Sequence, residues 1–520
     1  MIPSNLLRNI VGGVLSWFLP LVVTIVVTPL VVHHIGIEAY GVYALALAYA
    51  NTVGTLNIAQ GLVRELAAFS LAKDAAWRGR LTTSALVLSA AVGAAGTAIL
   101  LLGVRPYARA SLDVGPLYPL GVTALFLAVA TVPLTLLSQA VRAVAQGMHR
   151  FDVAAWLTAG SGVVAGIGMG VIVARGGGVV ALLNWNIVVN LLLVVAAFAM
   201  LRPLLGHRLG APAGRAVVGL ARFSGMTTTS QILTALWILS ERTMLALYVG
   251  AEGVALFVVP LLIGAYLQAG VGSATLVLMP VASQLNARDH KDVLRAVYWR
   301  ATKVVALIVL CATVTLIAAS RSLLGLWLGP EFAARAPVLQ VLAIAFGLNT
   351  MLLIAWHFSE GLKRPSRNTV YTALSMIVGV TLLALLVRPF GLMGAAWART
   401  GAMLTAPIYL WLFERTLLGG SFGAAWRRLA LYLVPAGAAI GLALTFGLHA
   451  LPTSWISLAG LCLITLSAVV AALWHTAYFD AVERKWITDR LQSILGRRAD
   501  VSPPLVSSDS RTQSRGSHPM

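Results

Sequence analysis

From residue 10 to residue 477 the chain alternates between apolar runs of about 20 residues and short polar breaks. A helix of that length crosses the hydrocarbon core of a bilayer. The pattern predicts fourteen spans, at about 10–32, 42–63, 82–104, 120–144, 153–174, 179–200, 224–249, 253–282, 304–320, 337–358, 368–388, 391–413, 429–449 and 455–477. Of 520 residues, 59% are hydrophobic and 10% are charged, against roughly a quarter charged in a soluble chain. The fold class is an all-α polytopic membrane protein.

The net charge of +20 changes the picture only through its placement. Of the 37 Lys and Arg, 29 fall in the termini and the loops on one side, and six fall in the opposite loops. The remaining two, Arg242 and Arg399, lie inside spans. By the positive-inside rule both termini are cytoplasmic, so the basicity reports topology and calls for no nucleic-acid partner. Cys311 and Cys462 fall within spans and read as small packing residues. The first apolar run reads as a retained span rather than a cleaved signal. The final "VSPPLVSSDSRTQSRGSHPM" reads as disordered.

The chain repeats itself. At an offset of 214 residues, Arg8 falls on Arg222, "IGIEAYGVY" on "VGAEGVALF", Gly115-Pro116 on Gly329-Pro330, "QGMHR" on "EGLKR", Gly177 on Gly391 and Ala181 on Ala395. Each repeat holds six spans, an even number, so both enter the membrane the same way. Halves of that kind are related by an axis along the membrane normal, with the transport site between them. The expected organisation is a six-helix lobe at 1–205, a second at 206–418, an accessory helix pair at 419–480, and a cytoplasmic helix with a disordered tail at 481–520. Gly36 and Gly250 end the first span of each repeat, where glycine suits a helix C-terminus. The stretch "ARDHKDVLRAVYWRATK" reads as an amphipathic helix on the inner leaflet.

Four stretches carry a resemblance: "TPLVVHHIGIEAYGVYAL", "VGAEGVALFVVPLLI", "GLWLGPEFAARAPVLQVL" and "FGLMGAAWA". Together they resemble oligosaccharide-lipid flippases of the polysaccharide-synthesis (Wzx-type) family, within the multidrug/oligosaccharidyl-lipid/polysaccharide exporter superfamily. The likeness covers roughly residues 5–415 and rests on turn and packing signals. It implies two lobes around a central cationic cavity, alternating access and no cofactor. The implied substrate is an oligosaccharide linked through pyrophosphate to a polyprenol. It is moved to the outer leaflet of a bacterial inner membrane for O-antigen, capsule or exopolysaccharide assembly, with a polysaccharide polymerase as a possible partner.

The embedded charges carry the candidate chemistry, because ionisable groups in a bilayer are costly and by default face the bundle interior. In span seven Thr228, Gln231, Ile238 and Arg242 share one helical stripe, and Ser230, Thr234, Trp237 and Glu241 the adjacent one. This face is polar along most of its length and is expected to line a cavity. Arg242 is the candidate for attracting an anionic head group, which guanidinium grips bidentately. Glu241 is a candidate for ion coupling or for orienting an arginine. As sequence neighbours the two point about 100° apart and need partners elsewhere. Arg399, in "GAAWARTGA", lines the cavity or pairs with Glu241. Arg64 and Arg142 sit near inner helix ends, where snorkelling competes with substrate access. His357 and Glu360 share a helix face as a proton relay or a local pair. The amides Asn184, Asn186, Asn190, Asn51, Asn57 and Gln60 read chiefly as helix glue.

No phosphate-cradling glycine loop, metal-ligand spacing or nucleophile–base set stands out. A drug or cation antiporter of the same superfamily would offer acids to its cargo, yet span one has none. A lipid II flippase would show a charged first span, and this one is uncharged. A membrane glycosyltransferase would need paired outer carboxylates, whereas Glu38, Asp113, Glu252 and Glu331 lie at four separate turns.

Overall fold

The computed structural model describes residues 4–56, 60–68, 75–112, 115–148, 150–205, 210–276, 278–287, 290–419, 454–475, 478–479 and 481–494. Among them there is helix and no strand. The first half comprises α1 (Ser4–Ile35), α2 (Ile37–Gly54), α3 (Gln60–Ala68), α4 (Ala75–Leu112), α5 (Tyr118–Ala130), α6 (Val132–Gly147), α7 (Phe151–Ala174) and α8 (Val179–Leu205). The second comprises α9 (Gly214–Thr275), α10 (Leu278–Ala287), α11 (Lys291–Leu328), α12 (Pro330–Ala333), α13 (Ala336–Met351), α14 (Leu353–Gly361), α15 (Ser366–Met403) and α16 (Ala406–Phe413). A π-helical turn, Glu414–Leu418, and the helices Trp455–Trp474 and Ala481–Ile494 follow.

Ten described segments are long and apolar enough to cross a bilayer. Two of them, Thr228–Thr275 and Ser366–Leu418, each join two of the expected spans. The expected span 42–63 is divided between α2 and α3, where helix stops at Gly54. The expected span 429–449 and the tail beyond residue 494 lie outside the described residues. One expectation needs correcting. The charged stretch around residues 291–303 is no separate surface helix but the first turns of α11, which runs 38 residues unbroken. The reason is local: no proline falls between Lys291 and Leu328 and no glycine before Gly325, so nothing interrupts the ladder. At 1.5 Å per residue such a helix outreaches a core of about 30 Å, and its charged turns stand clear of it.

The longest helix, α9, bends at Gly250, and Gly36 makes the corresponding turn between α1 and α2. Gly36 (φ 86°, ψ 158°) and Gly250 (φ 87°, ψ 177°) lie 214 residues apart and adopt nearly the same conformation. That region is essentially closed to residues with a Cβ. No atom lies within 4 Å of a Cβ placed on Gly250, so only backbone strain opposes a larger residue. Gly250→Ala is therefore expected to cost about 1–3 kcal/mol, read from thermal unfolding of the detergent-solubilised protein; a wild-type stability would remove the strain argument.

The apolar core is not evenly shared. At the end marked by Gly36 and Gly250 one cluster spans both halves, joining Val31, Tyr40 and Val42 to Leu245, Val254 and Leu324. At the opposite, arginine-rich end the halves keep separate cores. Leu62, Leu81, Val141 and Leu193 pack in the first, and Tyr298, Phe358 and Phe413 in the second. Among the described residues the molecule is thus closed at one end and, the start of α9 apart, divided at the other. The start of α9 crosses that division: Leu220 packs in the first half's cluster, and the Ala213 amide donates to Ser84 Oγ at 3.0 Å.

Candidate functional site

A cavity of about 460 Å³ lies within the second half, between both limbs of α9 and helices α13 and α15. The first limb of α9 supplies Thr234, Trp237, Ile238, Glu241 and Arg242 to its wall. Their spacing of three and four residues places them on neighbouring stripes of one helix. The second limb brings Gln268, α13 brings Phe346 and Asn349, and α15 brings Tyr371, Ser375 and Arg399. The Trp237 ring lies flush against α15 because residue 379 is glycine: a Cβ there would fall 1.4 Å from a ring atom.

Glu241, 1% exposed, is met by a two-pronged partner. Arg399 donates Nε to Oε1 at 2.9 Å and Nη2 to Oε2 at 2.6 Å. This is the fork geometry that makes arginine–carboxylate pairs strong. The guanidinium carbon also sits 5.8 Å from the Trp237 ring centre and 5.6 Å from that of Phe346, within cation–π range. Ala395, Ala396, Ala398 and Ala402 surround Arg399 on α15 and are fully buried. Small side chains let the helices approach closely enough for this pairing.

Arg242 points elsewhere. Its Nη1 donates to the Ala44 carbonyl oxygen of α2, across the boundary between the halves, at 2.6 Å. Tyr107 and Thr243 share a hydroxyl hydrogen bond of 2.8 Å beside it. Farther along the boundary the Tyr266 hydroxyl donates to Thr24 Oγ1 at 2.9 Å, and Trp327 Nε1 to the Ile25 carbonyl at 2.7 Å. The charged residues lining the cavity are Glu241, Arg242 and Arg399. Two cancel, so the wall carries one unmatched positive charge, and guanidinium keeps that charge at any working pH.

The other candidates stand apart from this cavity. Arg142 is half-buried on α6 and is not among the lining residues. Arg64 belongs to α3, but its side chain lies outside the described residues. His357 Nδ1 and Glu360 Oε2 are 3.7 Å apart, too far for a hydrogen bond. Glu360 instead accepts from Trp356 Nε1 at 2.9 Å, and it is Trp356 that reaches the cavity. Among the amides, Asn190 accepts from Thr135 of α6 at 3.2 Å and donates to the Asn186 carbonyl at 2.8 Å, which ties α6 to α8. Asn184 and Asn51 are exposed, and the side chains of Asn57 and Gln60 lie outside the described residues. Sequence reasoning passed over Gln268, Asn349, Tyr371 and Trp356. The first two had a signal, since each is an amide in a strongly apolar segment: Gln268 alone in the second limb of α9, Asn349 with Gln340 in α13. A second hollow of about 690 Å³, between α9, α11 and α14, is apolar but for Thr275 and Arg300.

Comparison with known proteins follows the same direction. The family model described as "Polysaccharide biosynthesis protein" matches residues 34–337. A Shigella flexneri protein named as a candidate O-antigen transporter is 24% identical over 198 residues; the match spans 37% of this chain and 46% of that protein. Among solved structures, the lipid II flippase MurJ in an inward closed conformation has a TM-score of 0.67 at 11% identity, over 95% of this chain and 99% of its own. An inward-facing multidrug resistance MATE transporter of the MOP superfamily gives 0.63 at 14% identity, over 81% and 96%. A MOP-superfamily transporter from Pyrococcus furiosus gives 0.60 at 15% identity, over 80% and 96%. At such identities the likeness is one of fold.

Proposed function

The chain belongs to the polysaccharide biosynthesis protein family, and from that premise we propose that it is a flippase for polyprenyl-pyrophosphate-linked oligosaccharides in a bacterial inner membrane. The cargo is taken up at the arginine-rich, cytoplasmic side and released at the other, for assembly into a cell-surface polysaccharide. Two six-span lobes, 1–205 and 206–418, rock against each other. An accessory pair follows at 419–480 and a cytoplasmic segment at 481–520. The 214-residue offset and the matching conformations of Gly36 and Gly250 support that division. Fourteen spans with both termini in the cytoplasm complete the reading.

One observation carries it: among the described residues, the only carboxylate lining the cavity is already held by Arg399, while Arg242 is in no ion pair and leaves the wall one net positive charge. A cation antiporter needs an available acid. A wall with one spare guanidinium suits a pyrophosphate instead, because charge-assisted, bidentate bonds to phosphate are the stronger kind. Thr234, Gln268, Asn349 and Ser375 add neutral donors and acceptors of the type that sugars use.

The test is genetic and chemical. Deleting the gene is expected to accumulate polyprenyl-pyrophosphate glycan on the inner leaflet, and the intact gene to relieve it. Arg242→Ala at matched protein level is expected to flip about tenfold more slowly or worse, the scale of one lost charged hydrogen bond. An unchanged leaflet distribution together with lost drug or cation efflux would replace this reading with the antiporter one.

A further inference from the structure

We propose that Arg242 is a latch on the closed end of the molecule, and that a pyrophosphate group opens it by taking the guanidinium away from Ala44. The inference rests on the flippase reading and adds how cargo is coupled to opening.

Three observations lead to it. First, among the described residues the shared cluster and most of the hydrogen bonds that cross the boundary lie toward one end, while the start of α9 crosses at the other. The backbones themselves touch there, since a Cβ on Gly41 would fall 1.8 Å from the Ala251 carbonyl oxygen. Any passage of cargo to that side must part this seam. Second, among the described residues Arg242 both lines the cavity and holds the seam by a hydrogen bond across it. Third, its hold is weak for a guanidinium. It spends one donor on a neutral backbone carbonyl and makes no other hydrogen bond or ion pair among the described residues. The nearest carboxylate is fully engaged by Arg399, so from within its own half Arg242 has only the longer-range attraction of Glu241.

A guanidinium has five N–H donors in a rigid fork. A phosphate can engage two of them at once, with bonds about twice as strong as those between neutral partners. A pyrophosphate arriving in the cavity therefore outcompetes the Ala44 carbonyl. That carbonyl loses little, because it sits inside α2, where helical pairing also serves it. The Tyr107–Thr243 contact is then left without its stronger neighbour. The Glu241–Arg399 pair complements the latch. With both Glu241 oxygens taken by Arg399, the cargo competes for Arg242 chiefly with the seam.

Full-length protein in lipid nanodiscs tests this, with Cys311 and Cys462 replaced by alanine. Spin labels go on Glu38→Cys and Glu252→Cys, exposed positions on either side of the seam. Their close approach broadens the spectrum. Without ligand the labels are expected to be close. Inorganic pyrophosphate, against sodium chloride of equal ionic strength, is expected to lower the close fraction. A polyprenyl pyrophosphate is expected to do so at lower concentration, which separates a lipid-borne head group from the free anion. Arg242→Gln is expected to shift the closed-to-open ratio by about ten- to a hundredfold without ligand and to abolish the pyrophosphate response. Tyr107→Phe loosens the same seam but leaves the latch, so its response to pyrophosphate is expected to persist. The proposal is overturned if Arg242→Gln stays as closed as wild type, or if it still responds to pyrophosphate. Because this readout does not depend on glycan transport, the latch and the flippase reading can fail separately.

Discussion

Arg399→Met is expected to destabilise the protein by about 3–5 kcal/mol, the cost of stripping one partner from a buried ion pair. Glu241 is 1% exposed, and both its oxygens are taken by the same guanidinium. Methionine fills much of the vacated volume, so lost packing is a minor part of the effect. What remains is a buried carboxylate stripped of its ion pair, with the nearest other cation turned toward Ala44. Glu241→Gln leaves the opposite orphan, yet a long arginine can swing into the cavity and recover some solvation; its expected cost is smaller. The double variant Glu241→Gln/Arg399→Met removes both charges and is expected to regain most of the loss, because a buried pair replaced whole is often near neutral. Thermal unfolding of the four proteins forms a double-mutant cycle. If Arg399→Met alone stays within about 1 kcal/mol of wild type, well below the expected range, water reaches the pair and the account of its burial fails.

Gly379→Ala sets two effects against each other, and packing is expected to win. In a helix interior, glycine to alanine gains roughly 0.8–1.0 kcal/mol of propensity. At this position the new Cβ would fall 1.4 Å from the Trp237 ring, far inside any contact distance. The ring must leave the surface of α15 or the helix must retreat, and overpacking of that kind costs about 1–3 kcal/mol. Moving Trp237 also pulls a wall from the cavity and a cation–π partner from Arg399. The expected result is lower stability together with loss of complementation. Gly460→Ala provides the control, since no atom lies within 4 Å of its added Cβ, and it is expected to keep both. Equal behaviour of the two variants would mean that Trp237 does not rest on Gly379.

What the sequence made legible, and what it hid, divides along physical lines. The polar stripe of span seven stood out because helical period converts spacing into a face, and the part of that face from Thr234 to Arg242 lines the cavity, while Thr228, Ser230 and Gln231 do not. The turns at Gly36 and Gly250 stood out because the repeat placed them in register. Arg399 was visible as an embedded charge, and its partner as one possibility among several; only packing could bring α9 and α15 together. The bond from Arg242 to Ala44 left no trace in the sequence. Its acceptor is a backbone carbonyl, which every residue has, and it spans 198 positions. The start of α11 misled because charges mixed with apolar residues look alike on a surface helix and on the protruding end of a span. The absence of any breaker before Gly325 was the discriminating feature.

The cancelled pair in the cavity wall also decides what membrane voltage does. A uniform field exerts no net force on Glu241 and Arg399 together, so Arg242 is the charge it acts on there. Carrying one elementary charge across a bilayer is worth about 2.3 kcal/mol per 100 mV. On the proposed reading, a doubly negative head group gripped by one guanidinium would still carry about one negative charge. If, as proposed, the arginine-rich end faces the cytoplasm, an inside-negative potential would push such a cargo outward. Had Glu241 lacked its partner, its charge would have added to the electrostatic barrier; had Arg399 lacked its own, the cargo would have been neutralised and voltage would do no work on it.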